Sequence, residues 1–525
     1  MDGTRWQKLG ANRQSIHTWI WQAAENLSGV ITRMKGVDMD KDHNGGVSRR
    51  KFLRNAGVMG AAGAVAAVVP ESNGMAMADE SQQASRRSDC DYDVIVIGGG
   101  FAGVTAARDS MKNGYKTLVL EARNRLGGRT FSSEFSGHKI ELGGTWIHWS
   151  QPFVWSEVQR YGLQLKETPE PFVEDKQTIY VLHDGKRVEL KGEDMLTVAQ
   201  AVNAYFSEGR RLWERPYDAK HTWKELLAVD GMTAADRYAQ IQLTPLQRTI
   251  VDAYVAGAAH TTSDRASYAD VSRWWSLPGW NLSLFVDSLG HYTFKDGTIS
   301  LINAMLDDGR PEVRLSTPVT QVEDQGNRVL VTTEQGKTIS AAAVIVAVPM
   351  NVLPRIAFSP VLDPALVAAA KEGHTGSGIK VFVRTKGKLP TDGKMLGIAD
   401  SKQPLNLLVT YAKAEDHTIF VGFGSDPAKL DIQDRDAVQE VVSSFFPGME
   451  VQECYGYEWT LDPYSKGTYC SYKPNWLGKY YDHFQKDRGR VVFGQGDHGE
   501  GWRGFIDGAI SAGSQAAKRT RNLLG

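Results

Sequence analysis

The chain has 525 residues, of which 42% are hydrophobic, so it can bury a large core and form two domains. Sixty lysines and arginines against 61 acids give a net charge of -1, which provides no electrostatic basis for binding nucleic acid. Three cysteines are too few for a disulfide framework, and without a CxxC, HExxH or clustered His/Cys set we expect no metal site.

The first 78 residues read as an export signal. The segment SRRKFLR at 48–54 is a twin-arginine pattern, and an apolar run at 56–69 and small residues at 76–78 follow it. The run is shorter than the roughly twenty apolar residues of a membrane-spanning helix. The alternative is a basic helix start followed by an alanine-rich turn. We predict a periplasmic protein of a bacterium, with a polar linker at 79–90.

The first strand and glycine turn of a nucleotide-binding unit are predicted at 94–103, which read VIVIGGGFAG. The apolar run fits a buried parallel strand. Gly98 permits a tight turn, Gly100 lets backbone N–H groups approach a pyrophosphate, and Gly103 lets the next helix pack closely on the strand. That helix is predicted to end near Lys112.

A second strand, 116–120, ends at Glu121, about twenty residues after the glycines, where an acid binds a ribose hydroxyl. An acid at this position disfavours the 2′-phosphate of NADP. A chance glycine turn is the alternative, but the strand, helix, second strand and acid all stand in register with the turn.

Two further glycine-rich segments favour FAD over NAD. The first, RNRLGGRT at 123–130, contains Arg123, Gly128 and Arg129, and the second is ELGGTW at 141–146. A long, bent FAD needs backbone donors and a cation along its far phosphate and ribityl chain, whereas NAD has no need of a second such turn. The alternative is an ordinary surface turn.

With these motifs the chain resembles the flavin-containing amine oxidases, the family of monoamine and polyamine oxidases. The resemblance covers nearly everything after Tyr92. Further matching segments are VIVAVP at 344–349, IxFxP at 356–360, GIKV at 378–381, Trp459, GTY at 467–469, GD at 496–497 and GFIDG at 504–508. It implies FAD as cofactor, an amine as substrate and an α/β fold.

The resemblance also implies the site residues. Lys380 matches the lysine that holds a water against flavin N5, and Tyr469 and Phe505 match an aromatic pair that holds the amine. By residue type alone they would be a surface lysine and two core aromatics. Additional substrate-binding residues are Trp146, Tyr254 and Trp502. The cofactor-binding residues are Gly98, Gly100, Gly103, Glu121, Arg123, Gly128, Arg129, Gly144, Thr145, Trp146, Val319, Asp497, Phe505 and Ile506.

The domain organisation follows from the same resemblance. An FAD-binding, Rossmann-like domain is expected in three pieces, 91–148, 290–356 and 460–525. The interleaved substrate domain, of antiparallel sheet plus helices, takes 149–289 and 357–459. Within it, 152–289 has helical periodicity and 379–459 reads as several strands.

A carboxy-terminal helix is predicted from Gly504 to about Leu524. Its small residues, Gly508, Ala512 and Gly513, would let it approach the cofactor closely, and its N-terminus would direct a positive dipole at the flavin. An ordinary terminal helix is equally compatible with this pattern.

The segments GGTWIHW at 143–149, SLINAML at 300–306 and WTxDP at 459–463 resemble bacterial members of the family that act in nicotine breakdown. This resemblance implies pseudooxynicotine, oxidised to a pyridyl aldehyde plus methylamine, with nicotine second. Aromatic residues of the helical segment, including Trp274, Trp275 and Trp280, have few acids near them, which argues against polyamines. An amino-acid oxidase, with Arg503 or Arg273 as carboxylate partner, and a non-catalytic flavoprotein are the alternatives.

The link to FAD is predicted to be non-covalent. Some family members attach FAD through a cysteine directly before the first cage aromatic, but here Thr468 takes that position and Cys470 follows Tyr469. Oxygen and a periplasmic electron carrier both remain possible acceptors. The expected partners are otherwise a small amine and a second copy of the chain.

Overall fold

The structure, a computed structural model, describes residues 89–167, 177–389, 391, 393–484 and 486–525. The predicted export signal and nearly all of the linker lie outside these residues. Over the described part, no helix is long and apolar enough to cross a membrane.

Strands and helices are numbered separately in chain order. The strands are β1 (Tyr92–Ile97), β2 (Thr117–Leu120), β3 (Ser132–Phe135), β4 (His138–Glu141), β5 (Leu165–Glu167), β6 (Gln177–His183), β7 (Lys186–Leu190), β8 (Tyr292–Phe294), β9 (Glu312–Arg314), β10 (Val319–Asp324), β11 (Val329–Thr333), β12 (Thr338–Val346), β13 (Ala357–Ser359), β14 (Ile379–Lys386), β15 (Lys394–Ala399), β16 (Leu407–Lys413), β17 (His417–Gly424), β18 (Val451–Gly456) and β19 (Val491–Phe493). The helices are α1 (Phe101–Lys112), α2 (Pro152–Tyr161), α3 (Gly192–Tyr205), α4 (Gly209–Leu212), α5 (Trp223–Val229), α6 (Pro245–Ala259), α7 (Tyr268–Ser276), α8 (Leu282–Gly290), α9 (Ile299–Gly309), α10 (Pro364–Glu372), α11 (Arg435–Phe445), α12 (Trp476–Phe484) and α13 (Ile506–Leu524). Short 3₁₀ helices lie at Asp236–Gln240, Met350–Arg355, Pro427–Lys429 and Gly496–His498.

An eight-stranded sheet carries the glycine turn. Its order is β13-β10-β11-β12-β1-β2-β9, with β19 paired to the end of β12. Strand β1 lies between β12 and β2 and is parallel to both, with Ile97 opposite Val346 on one side and Leu120 on the other. The continuous apolar sequence of β1 follows from this central position, because a parallel strand in the middle of a sheet is covered on both faces.

A seven-stranded sheet forms the second layer, in the order β18-β14-β17-β16-β15-β6-β7. Its neighbours are antiparallel except for β15 and β6, which run parallel. Strand β14 is central between β17 and β18, and its residues Ile379–Val383 are all buried. A lysine at the second position of this buried run, Lys380, is therefore an exception that needs a local explanation.

The predicted fold class is confirmed, with one local error. The segment 152–289 contains the predicted helices, but it also contributes β5, β6 and β7, and the last two join the seven-stranded sheet. Strand β13 pairs with β10 and so belongs to the eight-stranded sheet, although the predicted boundary placed residue 357 in the substrate domain. The division into domains itself stays a prediction.

The terminal helix α13 begins at Ile506, two residues later than predicted, and its small residues meet protein backbone. A Cβ on Gly513 would lie 2.1 Å from the carbonyl oxygen of Ala102 in α1, and one on Gly508 would lie 2.3 Å from that of Trp502. Their smallness therefore serves close packing within the protein, and α13 is held against the helix that follows the glycine turn.

Candidate active site

The glycine turn has the geometry that its sequence predicts. Gly98 has φ +107°, in the region that glycine alone adopts readily, and a Cβ on Gly103 would lie 1.8 Å from the carbonyl oxygen of Gly98. Helix α1 begins directly after Gly100, and no described side chain caps its first turn. The N–H groups at this end of α1 are thus available to an anion such as a pyrophosphate.

Glu121 lies beside the turn at the end of β2. Its buried carboxylate accepts hydrogen bonds from the backbone N–H of Gly99, at 2.7 Å, and of Arg123, at 2.8 Å. The acid is therefore held at the edge of the turn, in the position from which a ribose hydroxyl can be bound.

The second glycine turn, within the segment 123–130, is closed by Arg125. This residue was not among those predicted from the sequence. Its guanidinium donates to three backbone carbonyls, those of Leu126, Gly128 and Thr130, at 3.1 to 3.2 Å. Gly127 and Gly128 both have positive φ, and the backbone of Gly127 forms a parallel bridge with Gly100. The two glycine turns are thus joined backbone to backbone.

Arg129 connects this turn with the carboxy-terminal part of the chain. It donates to the carbonyl oxygen of Thr468 at 2.9 Å and forms an ion pair with the buried carboxylate of Asp497 at 2.6 Å. The other oxygen of Asp497 accepts from the N–H of Met350 at 2.8 Å. Burial raises the pKa of Asp497, but Arg129 and its other partners outweigh burial and hold that pKa below its ordinary value.

Arg123 has protein partners in the carboxy-terminal part of the chain. Its guanidinium lies 2.5 Å from the carboxylate of Asp462 and donates to the hydroxyl of Ser465 at 2.8 Å. The side chain therefore links two chain segments, and its binding to the cofactor stays a prediction. Gly144 lies near Ile506, because a Cβ on Gly144 would be 4.0 Å from the Ile506 side chain. Val319 is half-buried at the start of β10.

These residues fit a bound FAD. The turn that only glycines can form, the uncapped start of α1 and the buried acid Glu121 would hold the adenosine and pyrophosphate. The second turn and Arg129 provide backbone donors and a cation further along. The conformation of the two glycine turns and the positions of Glu121 and Arg129 are the features that fit FAD.

Lys380 is almost completely buried. It lies between the glycine-rich segment at 141–146 and a group of aromatic rings. Its ammonium donates to the carbonyls of Glu141, at 2.6 Å, and Gly143, at 3.1 Å, and to the hydroxyl of Thr145, at 2.5 Å. It lies 5.0 Å from the centre of a Trp146 ring. Burial lowers the pKa of Lys380 to about 7, against the opposing effect of the Glu141 carboxylate. Lys380 is thus no surface lysine, and its charge can change near neutral pH.

Tyr469 and Phe505 are joined by a third ring. The centre of the Trp274 ring lies 5.5 Å from that of Tyr469 and 4.4 Å from that of Phe505. We call these three residues the aromatic cage. Trp502 meets Phe505 edge to face at 4.9 Å. The sequence placed Trp274 further from the amine, and only the fold brings it between the predicted pair.

A histidine that sequence reasoning missed supports Tyr469. The ring of His260 stacks on Tyr469 at 4.7 Å, and its Nδ1 lies 2.9 Å from the hydroxyl of Thr468. Burial lowers the pKa of His260 to about 4, assisted by Lys380, so the ring is neutral at pH 7. The Tyr469 hydroxyl donates to the carbonyl of Gly257. Tyr254 stands half-buried on the same helix, α6.

Two buried arginines behind the cage are already paired. Arg503 forms an ion pair with Asp270, and Arg273 lies 3.3 Å from the same carboxylate. Burial raises the pKa of Asp270, but Arg503 and Arg273 outweigh burial and lower it. Both arginines therefore direct N–H groups at the same carboxylate, which leaves one positive charge of the three groups unbalanced.

A cluster that could hold a metal was not foreseen from the sequence. Ligand atoms of His148, Asp287 and His291 lie within 4.8 Å of one another. Both imidazoles hydrogen-bond to Asp287, at 2.8 and 2.6 Å, and Nδ1 of His148 accepts from the N–H of Ser150. With Nδ1 as acceptor, Nε2 of His148 carries the proton that it donates to Asp287, and these contacts suffice to hold the cluster.

Comparison with known proteins finds similarity over most of the chain. A family model described as flavin containing amine oxidoreductase matches residues 101–520. Pseudooxynicotine dehydrogenase of a Pseudomonas species is 40% identical over 492 residues, which cover 93% of this chain and 97% of that protein. Nicotine dehydrogenase of Pseudomonas putida (strain DSM 28022 / S16) is 37% identical over 487 residues, or 92% of this chain and 98% of that protein.

Solved structures show the same fold. A double mutant of putrescine oxidase superimposes with a TM-score of 0.72 at 21% identity, covering 82% of this chain and 99% of that one. Cyclohexylamine oxidase from Brevibacterium oxydans IH-35A does so with a TM-score of 0.68 at 19% identity, over the same shares of the two chains.

Proposed function

Since the chain belongs to the flavin-containing amine oxidoreductases, we propose that its substrate is a secondary alkylamine with an aromatic end, pseudooxynicotine, with the tertiary amine nicotine as the second candidate. The observation that carries the proposal is the aromatic cage of Trp274, Tyr469 and Phe505, behind which the buried carboxylate of Asp270 is paired with two arginines. The names of the two Pseudomonas relatives support this choice of substrate.

FAD would be held without a covalent bond by the two glycine turns, Glu121 and Arg129. When bound, FAD supplies an acceptor for the hydride equivalent that leaves the carbon next to the amine nitrogen. The aromatic cage holds the amine in a dry slot and attracts residual ammonium character through its ring faces, which contributes roughly 0.5 to 2 kcal/mol. Water then hydrolyses the oxidised amine, which gives methylamine and the pyridyl aldehyde 3-succinoylsemialdehyde-pyridine.

Lys380 would exchange a proton with a water beside the flavin. Because all three N–H groups of its ammonium donate to protein oxygens, that water would replace one of these partners or donate to the neutral amine. A lysine with a pKa of about 7 is present in both protonation states at neutral pH, so it can serve as donor and acceptor. Its three oxygen partners fix the position of the ammonium. Oxidation of the amine needs no second acid or base near the cage once the amine is neutral.

Amino acids and polyamines fit this site less well. An amino acid needs a cation for its carboxylate, and the two arginines behind the cage are buried and share the carboxylate of Asp270. A polyamine needs a carboxylate for its distal ammonium, because an unpaired charge in an apolar tunnel costs several kcal/mol. A substrate with one amine and an otherwise uncharged, flat structure needs neither the additional cation nor the additional carboxylate.

Anaerobic reduction of the holoenzyme tests the substrate. Pseudooxynicotine, nicotine, spermidine and L-phenylalanine are compared at equal concentration, and loss of the flavin absorbance is followed. We expect the fastest reduction with pseudooxynicotine. Fastest reduction by spermidine or L-phenylalanine would contradict the proposal. Reoxidation in air, compared with reoxidation by an added cytochrome c, then separates oxygen from a protein carrier as acceptor.

Export to the periplasm is proposed from the twin-arginine segment at 48–54, which lies outside the described residues. Cell fractionation of the full-length chain and of a variant with both arginines of that segment, Arg49 and Arg50, replaced by lysine tests it. We expect flavin-loaded protein in the periplasm only with the arginines intact. Periplasmic recovery of the double variant at the wild-type level would refute the route.

A further inference from the structure

The three walls of the aromatic cage come from segments that lie far apart in the chain. Trp274 is on α7, Tyr469 is in the stretch that precedes α12, and Phe505 directly precedes α13. Each ring contacts its neighbours only by packing, which is non-directional and tolerates sliding. The spacing of the walls must therefore be fixed by other contacts between these segments.

Asp270 connects all three segments, because it lies on α7 and its carboxylate contacts the other two. Asp270 lies one helical turn before Trp274 on α7, so the two side chains share a face of the helix. One of its oxygens accepts from the backbone N–H of Tyr472, at 3.0 Å, three residues after Tyr469. The other accepts from the guanidinium of Arg503, two residues before Phe505.

The surroundings of Asp270 make these contacts rigid. The guanidinium of Arg503 lies over the ring of Tyr472, 3.6 Å from its centre. Arg273, on the same helix as Asp270, donates to the carbonyls of Gly501 and Arg503. Asp270 and both arginines are 1 to 3% exposed, so water does not replace a contact that is lost.

We propose that Asp270 is a positioning residue that sets the spacing of the aromatic cage, an inference that rests on the cage's proposed role as the amine site. It acts through the backbone at Tyr472 and through Arg503, and it touches neither amine nor cofactor. Reaction rates respond steeply to displacements of about 1 Å in how a substrate is held, so loosening this link reduces the rate of the chemical step as well as binding.

The test compares Asp270→Asn with Asp230→Asn in FAD-loaded enzyme. Asp230 is a matched control, since it is also buried and accepts backbone hydrogen bonds, from Leu477 and Gly478, at a junction of α5 and α12. Binding is measured with benzyltrimethylammonium, which has no nitrogen lone pair to be oxidised, from the change in the flavin absorption spectrum. Flavin reduction is measured with the best amine of the substrate panel.

We expect Asp270→Asn to weaken benzyltrimethylammonium binding about tenfold and to slow flavin reduction at saturating amine at least tenfold, with FAD content and reoxidation unchanged. Asp230→Asn should lower the unfolding temperature but leave binding and reduction within about twofold of wild type. If Asp270→Asn loses only thermal stability, as its control does, the positioning role is wrong.

Asp270→Glu covers the case in which the asparagine variant does not fold. It keeps the negative charge that pairs with Arg273 and Arg503 and lengthens the link by about one carbon–carbon bond, so we expect a loaded protein with the same pattern of weakened binding and slowed reduction. If this variant binds benzyltrimethylammonium and is reduced as well as the wild type, the inference about Asp270 is wrong but the proposed amine site stands. Failure of the wild-type enzyme to bind benzyltrimethylammonium would overturn the proposed amine site and, with it, the inference.

Discussion

The guanidinium of Arg129 lies 2.6 Å from the carboxylate of Asp497, although 368 residues separate the two in the chain. The pair joins the second glycine turn to the 3₁₀ helix that precedes α13, and Arg129 also holds the carbonyl of Thr468, the residue before Tyr469. This ion pair is therefore one of the contacts that hold together the predicted cofactor segments near the two ends of the described chain.

We expect Asp497→Asn to lower both FAD content and the unfolding temperature, because Arg129 then has no counter-ion at a mostly buried position. The ratio of flavin to protein absorbance after gel filtration measures the first effect. Lys139→Met, which breaks an exposed ion pair with Asp296, is the control, since such pairs contribute at most about 1 kcal/mol. Full FAD loading of Asp497→Asn would show that the pair does not organise the cofactor site.

Gly103→Ala should prevent FAD loading. The added Cβ would lie 1.8 Å from the carbonyl oxygen of Gly98, so α1 must move away from β1 and disturb the glycine turn. Gly192→Ala, at the first residue of α3 where a Cβ meets no atom within 4 Å, should load normally. Equal flavin content in the two purified variants would contradict this account of the turn.

Lys380→Met should slow flavin reoxidation more than it weakens amine binding. The variant keeps the length of the side chain but removes the ammonium that would hold and protonate a water at the flavin. Stopped-flow measurement separates the two steps, because anaerobic reduction reports amine binding and chemistry while mixing with the acceptor reports reoxidation alone. An unchanged reoxidation rate would remove Lys380 from this role.

The buried Lys380 should also make stability depend on pH. Its pKa is about 7 in the folded chain and 10.5 ordinarily, so between these values the unfolded chain binds the additional proton. The free energy of unfolding should therefore rise from pH 7 to pH 10, by up to about 1.4 kcal/mol per pH unit, relative to Lys380→Met. Urea denaturation of both proteins across this range measures the difference. A difference that stays constant with pH would mean that Lys380 remains charged when folded.

Acid precipitation should release FAD into the supernatant. The hydroxyl of Thr468, at the position where some family members carry the linking cysteine, cannot form a thioether, and it is hydrogen-bonded to His260. Burial raises the pKa of the Cys470 thiol well above its ordinary value, which disfavours the reactive thiolate. A pellet that stays yellow after washing would demonstrate a covalent link.

The features predicted from sequence are those that a short segment specifies by itself. The turn at Gly98 and the helix that follows it depend on local conformation and strand periodicity, and both were placed within a residue or two. The contacts of Asp270 with Tyr472 and Arg503 join residues more than 200 positions apart, and no local pattern encodes them. Sequence could name Trp274 as an aromatic of the substrate segment, but only folding decides which rings it touches.

Strands β6 and β7 were missed for a related reason. They lie in a segment of helical periodicity. Three of the five residues of β7 are exposed and a fourth is half-buried, so the strand lacks the buried apolar run of a central strand. Its partners are β6 and, through β6, strand β15 some 200 residues later. An edge position of this kind is set by the rest of the sheet.

The order of the eight-stranded sheet has a consequence for synthesis on the ribosome. Strand β1 emerges early, but its neighbour β12 follows about 250 residues later, and β12 is completed by β19, which is among the last segments translated. Contacts this distant in sequence form late and slowly. The nascent chain must therefore wait without its cofactor until translation is nearly finished, and a premature stop before Val491 yields a product that chaperones or proteases must handle.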